Sequence, residues 1–272
     1  MLEFEILACG LFRPDQLAIY YDSSLTMPSS PAIHAWMDNL WQEKLAHARQ
    51  RNVPLYDAPL FRLVEAGVTA NNTLTLMLGN TGYKEYVTTR EPEFANRHTR
   101  QELGNALGVC SVVETSDGHI LLDKREGVDM YVGRYHVIGG FFERGLDTTS
   151  EAHPDPFAAI RREIHEETGV LPDDIRQQYC FGAVYDLLTP HAELCFLTQL
   201  TIPLATVLAR TPLDREIRQL RSLHITAASL RNFILEHHSN ISPTGEPNLL
   251  LYGRWKFGEE WFEEAMGQIS FG

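Results

Sequence analysis

The stretch Arg162-Glu163-Ile164-His165-Glu166-Glu167-Thr168-Gly169-Val170, preceded at a distance by Gly139-Gly140-Phe141-Phe142-Glu143-Arg144-Gly145, decides how the rest of the chain is read. Asp155 is placed to cap a helix, and Pro156 suits the first helical position, where an N–H would find no partner. Gly169 supplies a left-handed stop, so a helix over 156–168 is predicted. On it Phe157, Ile160 and Ile164 recur at i, i+3, i+7 and form a buried stripe. Glu163, Glu166 and Glu167 stand at i, i+3, i+4 and crowd one neighbouring face. Three crowded carboxylates lower stability unless a cation or an arginine offsets them. Hard oxygen donors, gathered with no cysteine or repeated histidine pattern, suit Mg²⁺ or Mn²⁺ held through carboxylates, waters and substrate phosphates. Arg162, adjacent on the helix, is placed to orient one of the carboxylates. Alone, an Arg-Glu-x-x-Glu-Glu run reads as a solvated face. The Gly139-Gly140 pair, read as a turn, and the Thr-Gly-Val stop shift the reading to a metal site for phosphate chemistry.

These residues resemble the signature of the Nudix hydrolase family, Gly-x5-Glu-x7-Arg-Glu-U-x-Glu-Glu-x-Gly-U, with U aliphatic. Residues 162 to 170 match its second half at every specified position. The first half departs from it. With Gly140 as the signature glycine, the expected glutamate falls on Leu146, and fifteen residues, Asp147 to Arg161, stand where seven are expected. The polar, helix-breaking run from Asp147 to Pro154 reads as a surface loop. The resemblance implies an α/β/α sandwich with a mixed sheet. It also implies metal binding by Gly140, Glu163, Glu166 and Glu167, and Mg²⁺- or Mn²⁺-dependent hydrolysis of a nucleoside diphosphate linked to another group.

Composition bounds the class. At 272 residues with 44% hydrophobic and 22% charged residues, the chain is long enough for two domains and a sizeable core. A net charge of -13 without a basic run argues against nucleic acid as a partner. No apolar stretch approaches membrane-spanning length and no secretory leader is visible, so no membrane is expected and a cytoplasmic location is. Cys9, Cys110, Cys180 and Cys195 lie in apolar strand-like runs without metal-type spacing, and buried free thiols are expected.

The N-terminal stretch reads as a smaller α+β domain over 1–104, with the Nudix-like domain over 105–272. Strands are predicted at 2–8 and 17–21. Ser30 and Pro31 open a helix whose stripe includes Ile33, Trp36, Met37, Leu40, Trp41 and Leu45. A hairpin follows over 60–68 and 73–78 around Asn71-Asn72, then a short helix at 82–89 and a polar connection at 90–105. In the second domain strands are predicted at 106–114, 120–125, 135–138, 178–188, 194–202 and 217–225. The metal helix lies among them, a helix starts after Thr226, and a single helix covers 248–266. No internal repeat is visible.

Beyond the signature, Arg125 closes a strand where a guanidinium can hold a phosphate or pair with Glu126 or Asp123. Glu193, after Thr189-Pro190-His191, is the candidate for the extra acidic residue that the family draws from a downstream element, with Glu216 competing. Catalytic roles are therefore expected for Glu163, Arg162 and Glu193. Glu143 is a candidate to offset Leu146. The histidines, His136, His165, His237 and His238 among them, lack partners at convincing spacing and are read as structural or surface residues. The runs 54–63 and 82–86, with Leu107-Gly108-Val109 and the long insertion, resemble the UDP-sugar diphosphatase branch, which implies UDP-glucose or UDP-galactose as substrate. ADP-ribose or a dinucleotide is the alternative substrate, and a regulatory nucleotide-binding module without catalysis is the alternative class. The family commonly forms homodimers, so a homodimer is carried as an expectation.

Overall fold

Leu107–Glu114 is buried along its whole length, the mark of a strand covered on both faces. In the computed structural model, which describes residues 2–51, 53–125, 130–150, 153–213 and 220–271, it lies at the centre of a mixed eight-stranded sheet. The elements run β1 (Phe4–Phe12), β2 (Leu17–Tyr21), α1 (Pro31–Gln50), β3 (Pro59–Val68), β4 (Leu74–Gly82), α2 (Tyr83–Thr89) and α3 (Pro92–Ala95). Then come β5 (Leu107–Glu114), β6 (His119–Lys124), β7 (Tyr135–His136), β8 (Ile138–Phe141), α4 (Pro156–Thr168), β9 (Ile175–Asp186) and β10 (His191–Leu200). The chain closes with α5 (Leu204–Leu208), β11 (Leu220–His224), α6 (Ala227–His237), α7 (Gly245–Phe257) and α8 (Glu259–Phe271).

The sheet order is β1-β9-β10-β5-β6-β11, with β7 on β6 and β8 on β5. The β5–β10 pair is parallel, and the other pairs in this sheet are antiparallel. Because side chains alternate across a strand, the sheet has two cores. One face packs Phe157, Ile160 and Ile164 of α4 against Leu107, Val109, Leu194 and Phe196. The other packs Leu230 and Ile234 of α6, Leu249 to Tyr252 of α7 and Trp261 of α8 against Cys110, Val112, Cys195 and Leu197. The layers are thus helix, mixed sheet, helix. A three-stranded sheet, β2-β4-β3, belongs to the N-terminal part. Its Phe61, Leu74, Leu76 and Leu78 join the α4-side core, and β1 completes the large sheet by pairing with β9.

Local readings explain these elements. Ser30 Oγ accepts from the Ile33 N–H at the start of α1, Thr226 Oγ1 from the Ser229 N–H at the start of α6, and Gly169 ends α4 at φ 71°. The structure differs in several places. The connection at 90–105 contains α3, and α5 forms after β10. The helix predicted over 248–266 is two helices, since Gly258, at φ 96°, ends α7 before α8 begins. Cys9 is exposed, because it sits on the edge strand β1, whereas the other three cysteines are buried and all four are free.

The glycine pair is not a turn. Gly139 and Gly140 lie within β8, opposite Cys110 and Val109 of β5. They are glycines because of what comes close. A Cβ at Gly139 would fall on the Val109 carbonyl oxygen, and one at Gly140 would stand 2.5 Å from the Glu163 carboxylate.

Candidate metal and phosphate site

The capped α4 lies across β8 and β5 with its carboxylates toward the glycine pair. Asp155 Oδ1 accepts from the Ala158 N–H at 2.9 Å and fixes the first turn. From that turn onward, 3.6-residue spacing buries Glu163 and Glu167 while Glu166 stays half-buried. Glu167 Oε2 accepts from the Gly139 N–H at 3.2 Å, which ties the helix to β8.

Arg162 organises the shell. Its Nε and Nη2 donate to the two oxygens of Asp147 at 2.9 and 2.8 Å, its Nη1 to Glu163 at 2.8 Å and Glu166 at 3.0 Å, and Nη2 also to the Phe141 carbonyl at 3.1 Å. Burial works against the cation, but Asp147, Glu163 and Glu166 raise its pKa and keep it protonated. One guanidinium therefore offsets the crowded carboxylates that the spacing predicts.

Asp147 is the member of this shell that the sequence does not single out. It is 2% exposed, and its Oδ2 also accepts from the Glu143 N–H at 2.8 Å. Leu146, where the signature expects glutamate, points outward and is 61% exposed. The carboxylate one residue on occupies the buried position. The insertion closes on itself beside it, with Asp155 N–H donating to the Asp147 carbonyl at 2.9 Å and Thr149 N–H to His153 at 2.8 Å. Asp147 is therefore the base of a closed excursion that returns the chain to the helix cap, and only its burial distinguishes it from the polar loop. Glu143 does join the cluster: burial raises its pKa, as do Asp147 and Glu166, against the pull of Arg162.

The donor set fits a hard divalent cation. Three carboxylates and the Gly140 carbonyl are oxygen donors, and the bare Cα of Gly140 lets the Glu163 carboxylate approach the backbone where a side chain would block it. Gly108 performs the same service on β5, since a Cβ there would lie 2.9 Å from Glu193 Cγ and 3.1 Å from the Gly140 oxygen.

Glu193 approaches this carbonyl from β10 but turns toward histidines. Its Oε1 is 3.1 Å from His191 Nε2 and its Oε2 3.7 Å from His136 Nε2. Burial would raise the Glu193 carboxyl, yet the histidines beside it hold it down to about 2. Burial pushes His136 down to about 4, whereas at His191 burial is outweighed by Glu193 and Asp186, which raise it. His136 is buried between β7 and the start of α7, with Nδ1 2.5 Å from Ser242 Oγ.

Arg125 stands at the end of β6, where its Nε donates to the Met130 carbonyl at 3.1 Å. It is close enough to lower the pKa of His136. Glu126 and Glu216 lie outside the described residues. An open cavity of about 350 Å³ lies beside the signature loop, lined by His34, Asp57, Thr81, Lys84, Glu85 and Arg144 among others, and no α4 carboxylate lines it. Among the described residues no helix is long and apolar enough to cross a membrane.

No family model matches the chain, and no curated protein matches it. It is similar to solved structures. A bifunctional NMN adenylyltransferase/ADP ribose pyrophosphatase from Francisella tularensis superposes at TM-score 0.40 and 17% identity, over 66% of this chain and 46% of that one. The chain thus spans less than half of that enzyme's length. The MutT protein from Methanosarcina mazei Go1 matches at TM-score 0.34 and 17% identity, over 58% of this chain and 92% of that one. A NUDIX hydrolase from Nitrosomonas europaea matches at TM-score 0.36 and 19% identity, over 55% and 89%. Likeness at this level fixes neither family nor activity.

Proposed function

We propose that the chain is a Nudix-type hydrolase that cleaves the pyrophosphate bond of a nucleoside diphosphate linked to a second group, with a UDP-sugar as substrate and UMP and sugar 1-phosphate as products. The observation that carries this reading is the shell built on Arg162, in which one guanidinium binds Asp147, Glu163 and Glu166 while Glu167 ties α4 to Gly139. The likeness of residues 162 to 170 to the signature supports the reaction class. The choice of a UDP-sugar rests on the resemblance of the N-terminal runs.

Glu163, Glu166, Glu167 and the Gly140 carbonyl would hold Mg²⁺ or Mn²⁺. Bound there, such an ion supplies neutralisation of the pyrophosphate charge and acidifies a water. Arg162 keeps the carboxylates in register and prevents mutual repulsion from splaying them. Of the two groups considered for orienting the water, Glu163 lies with the other carboxylates and Gly140, so we assign the task to it; Glu193 turns toward His136 and His191. The water gives a proton to the Glu163 carboxylate as its oxygen forms the new bond to phosphorus, and the bridging P–O bond breaks with its electron pair leaving on the bridging oxygen of the second phosphate. Arg125, at the strand end, is assigned to the substrate phosphates.

The test is a panel of UDP-glucose, UDP-galactose, ADP-ribose, NADH and dinucleoside polyphosphates with Mg²⁺ or Mn²⁺. Release of UMP and sugar 1-phosphate in equal amounts is expected. Turnover confined to ADP-ribose or a dinucleotide would reassign the substrate. Nucleotide binding without turnover across the panel would make the chain a binding module.

A further inference from the structure

On the α7 side of the sheet the structure brings together three donors of a different character. Cys110 Sγ of β5, His136 Nε2 of β7 and Glu193 Oε2 of β10 all lie within 4.8 Å of one another. Cys110 and His136 are buried, and the Glu193 side chain is 12% exposed. Strands that are distant in sequence supply them, because sheet register places Glu193 beside Gly108 and Cys195 beside Cys110.

Several features have no explanation in packing alone. Glu193 Oε2 is buried without a hydrogen-bond partner. Its separation from His136 Nε2, 3.7 Å, is too long for a hydrogen bond, and a closure of about 0.4 Å brings it to the edge, about 3.3–3.4 Å, of a tetrahedron with metal–ligand bonds of about 2.0–2.1 Å. The second nitrogen of His136 is held by Ser242 Oγ at 2.5 Å, the arrangement by which an outer partner fixes the ring of a ligating histidine. Asn248 Nδ2 of α7 lies 3.3 Å from Cys110 Sγ, a contact suited to a thiolate, while Asn248 Oδ1 has no partner.

We infer that Cys110, His136 and Glu193 form a site for one borderline transition-metal ion of the zinc class, separate from the hard-oxygen site on α4. Sulfur, imidazole and carboxylate together select Zn²⁺ or Co²⁺ over Mg²⁺. Binding forms three metal–ligand bonds and releases the Cys110 thiol proton to solvent, with no change of oxidation state. The ion gives the buried Glu193 oxygen a partner and pins β5, β7 and β10 beneath the phosphate site. Glu193 is then a structural ligand. This inference goes beyond the hydrolase reading and stands or falls without it.

The test uses the full chain and no substrate. Protein purified without chelator is analysed for metals, then stripped, reloaded with Co²⁺ and read by absorbance. Stoichiometric zinc, a thiolate-to-cobalt charge-transfer band and loss of that band on adding Zn²⁺ are expected. Cys110→Ser should abolish the charge-transfer band, His136→Ala and Glu193→Gln should lose zinc on dialysis, and Glu167→Gln should keep it. Should Cys110→Ser fold poorly by circular dichroism, the stripped wild type decides the matter: Zn²⁺ should raise its melting temperature, and that of His136→Ala should not respond. Sub-stoichiometric zinc with no charge-transfer band in folded protein would overturn the site, as would a band that survives in folded Cys110→Ser.

Discussion

Around α4 a single guanidinium, Arg162, gathers Asp147, Glu163 and Glu166 at 2.8–3.0 Å. Beside β10, the Glu193 carboxylate is instead met by His191 and His136, from two strands, at 3.1 and 3.7 Å. Both regions put anionic groups where water is scarce. In the first the compensating guanidinium, one residue from Glu163 and four from Glu166, is fully hydrogen-bonded and also reaches Asp147 fifteen positions away, so the shell holds its shape without a ligand. In the second, Glu193 Oε1 meets His191 while Oε2 makes no hydrogen bond and stands beside the His136 imidazole and the Cys110 thiol. The α4 carboxylates are thus placed by local helical spacing, with Asp147 added by loop closure, while the β10 pocket is held by register.

Removing the central cation should separate the two most sharply. Arg162→Ala leaves Asp147 and Glu163 buried without their counterion, and a loss of about 3–5 kcal/mol is expected in urea unfolding. A change below about 1 kcal/mol would mean that the shell is held by something else. Asp147→Asn keeps the shape but removes the charge from the bidentate contact, for an expected loss of about 2 kcal/mol. Leu146→Ala, one residue away and exposed, should change unfolding by less than about 0.5 kcal/mol.

The β10 side offers a pH test through Glu246 at the start of α7. Burial pushes its carboxyl up to about 7 from 4.5, against the pull of His238, whose Nδ1 is 2.7 Å away. A raised carboxyl pKa favours the protonated folded state. The contribution is fully present below about 4.5 and is lost as pH rises through 7. Glu246→Gln should therefore flatten the decline in melting temperature over that window; an unchanged slope would assign the decline elsewhere. At the helix cap a modest effect is expected, and Asp155→Ala should cost about 1 kcal/mol in urea unfolding.

The same contrast explains what was legible in the sequence. Helix α4 could be read to the residue, because its cap, proline, apolar stripe and glycine stop are all local. The three carboxylates followed from helical spacing, and β2 from its short apolar run. Asp147 was illegible because the loop closure that buries it depends on contacts between residues 147 and 155 and on Arg162 fifteen positions away. The glycine pair suggested a turn, and only the approach of β5 and Glu163 shows why a strand needs two glycines there. His136 looked partnerless because Glu193 and Ser242 reach it through sheet order, which spacing along the chain does not encode.

The central claim is that the α4 shell binds the ion that drives pyrophosphate cleavage. Its most direct test is Mg²⁺-dependent UDP-glucose hydrolysis by Glu167→Gln, with the fold checked by circular dichroism. In that variant kcat should fall by about 10²-fold or more while the folded state is retained. Wild-type turnover in that variant would remove the helix from the chemistry.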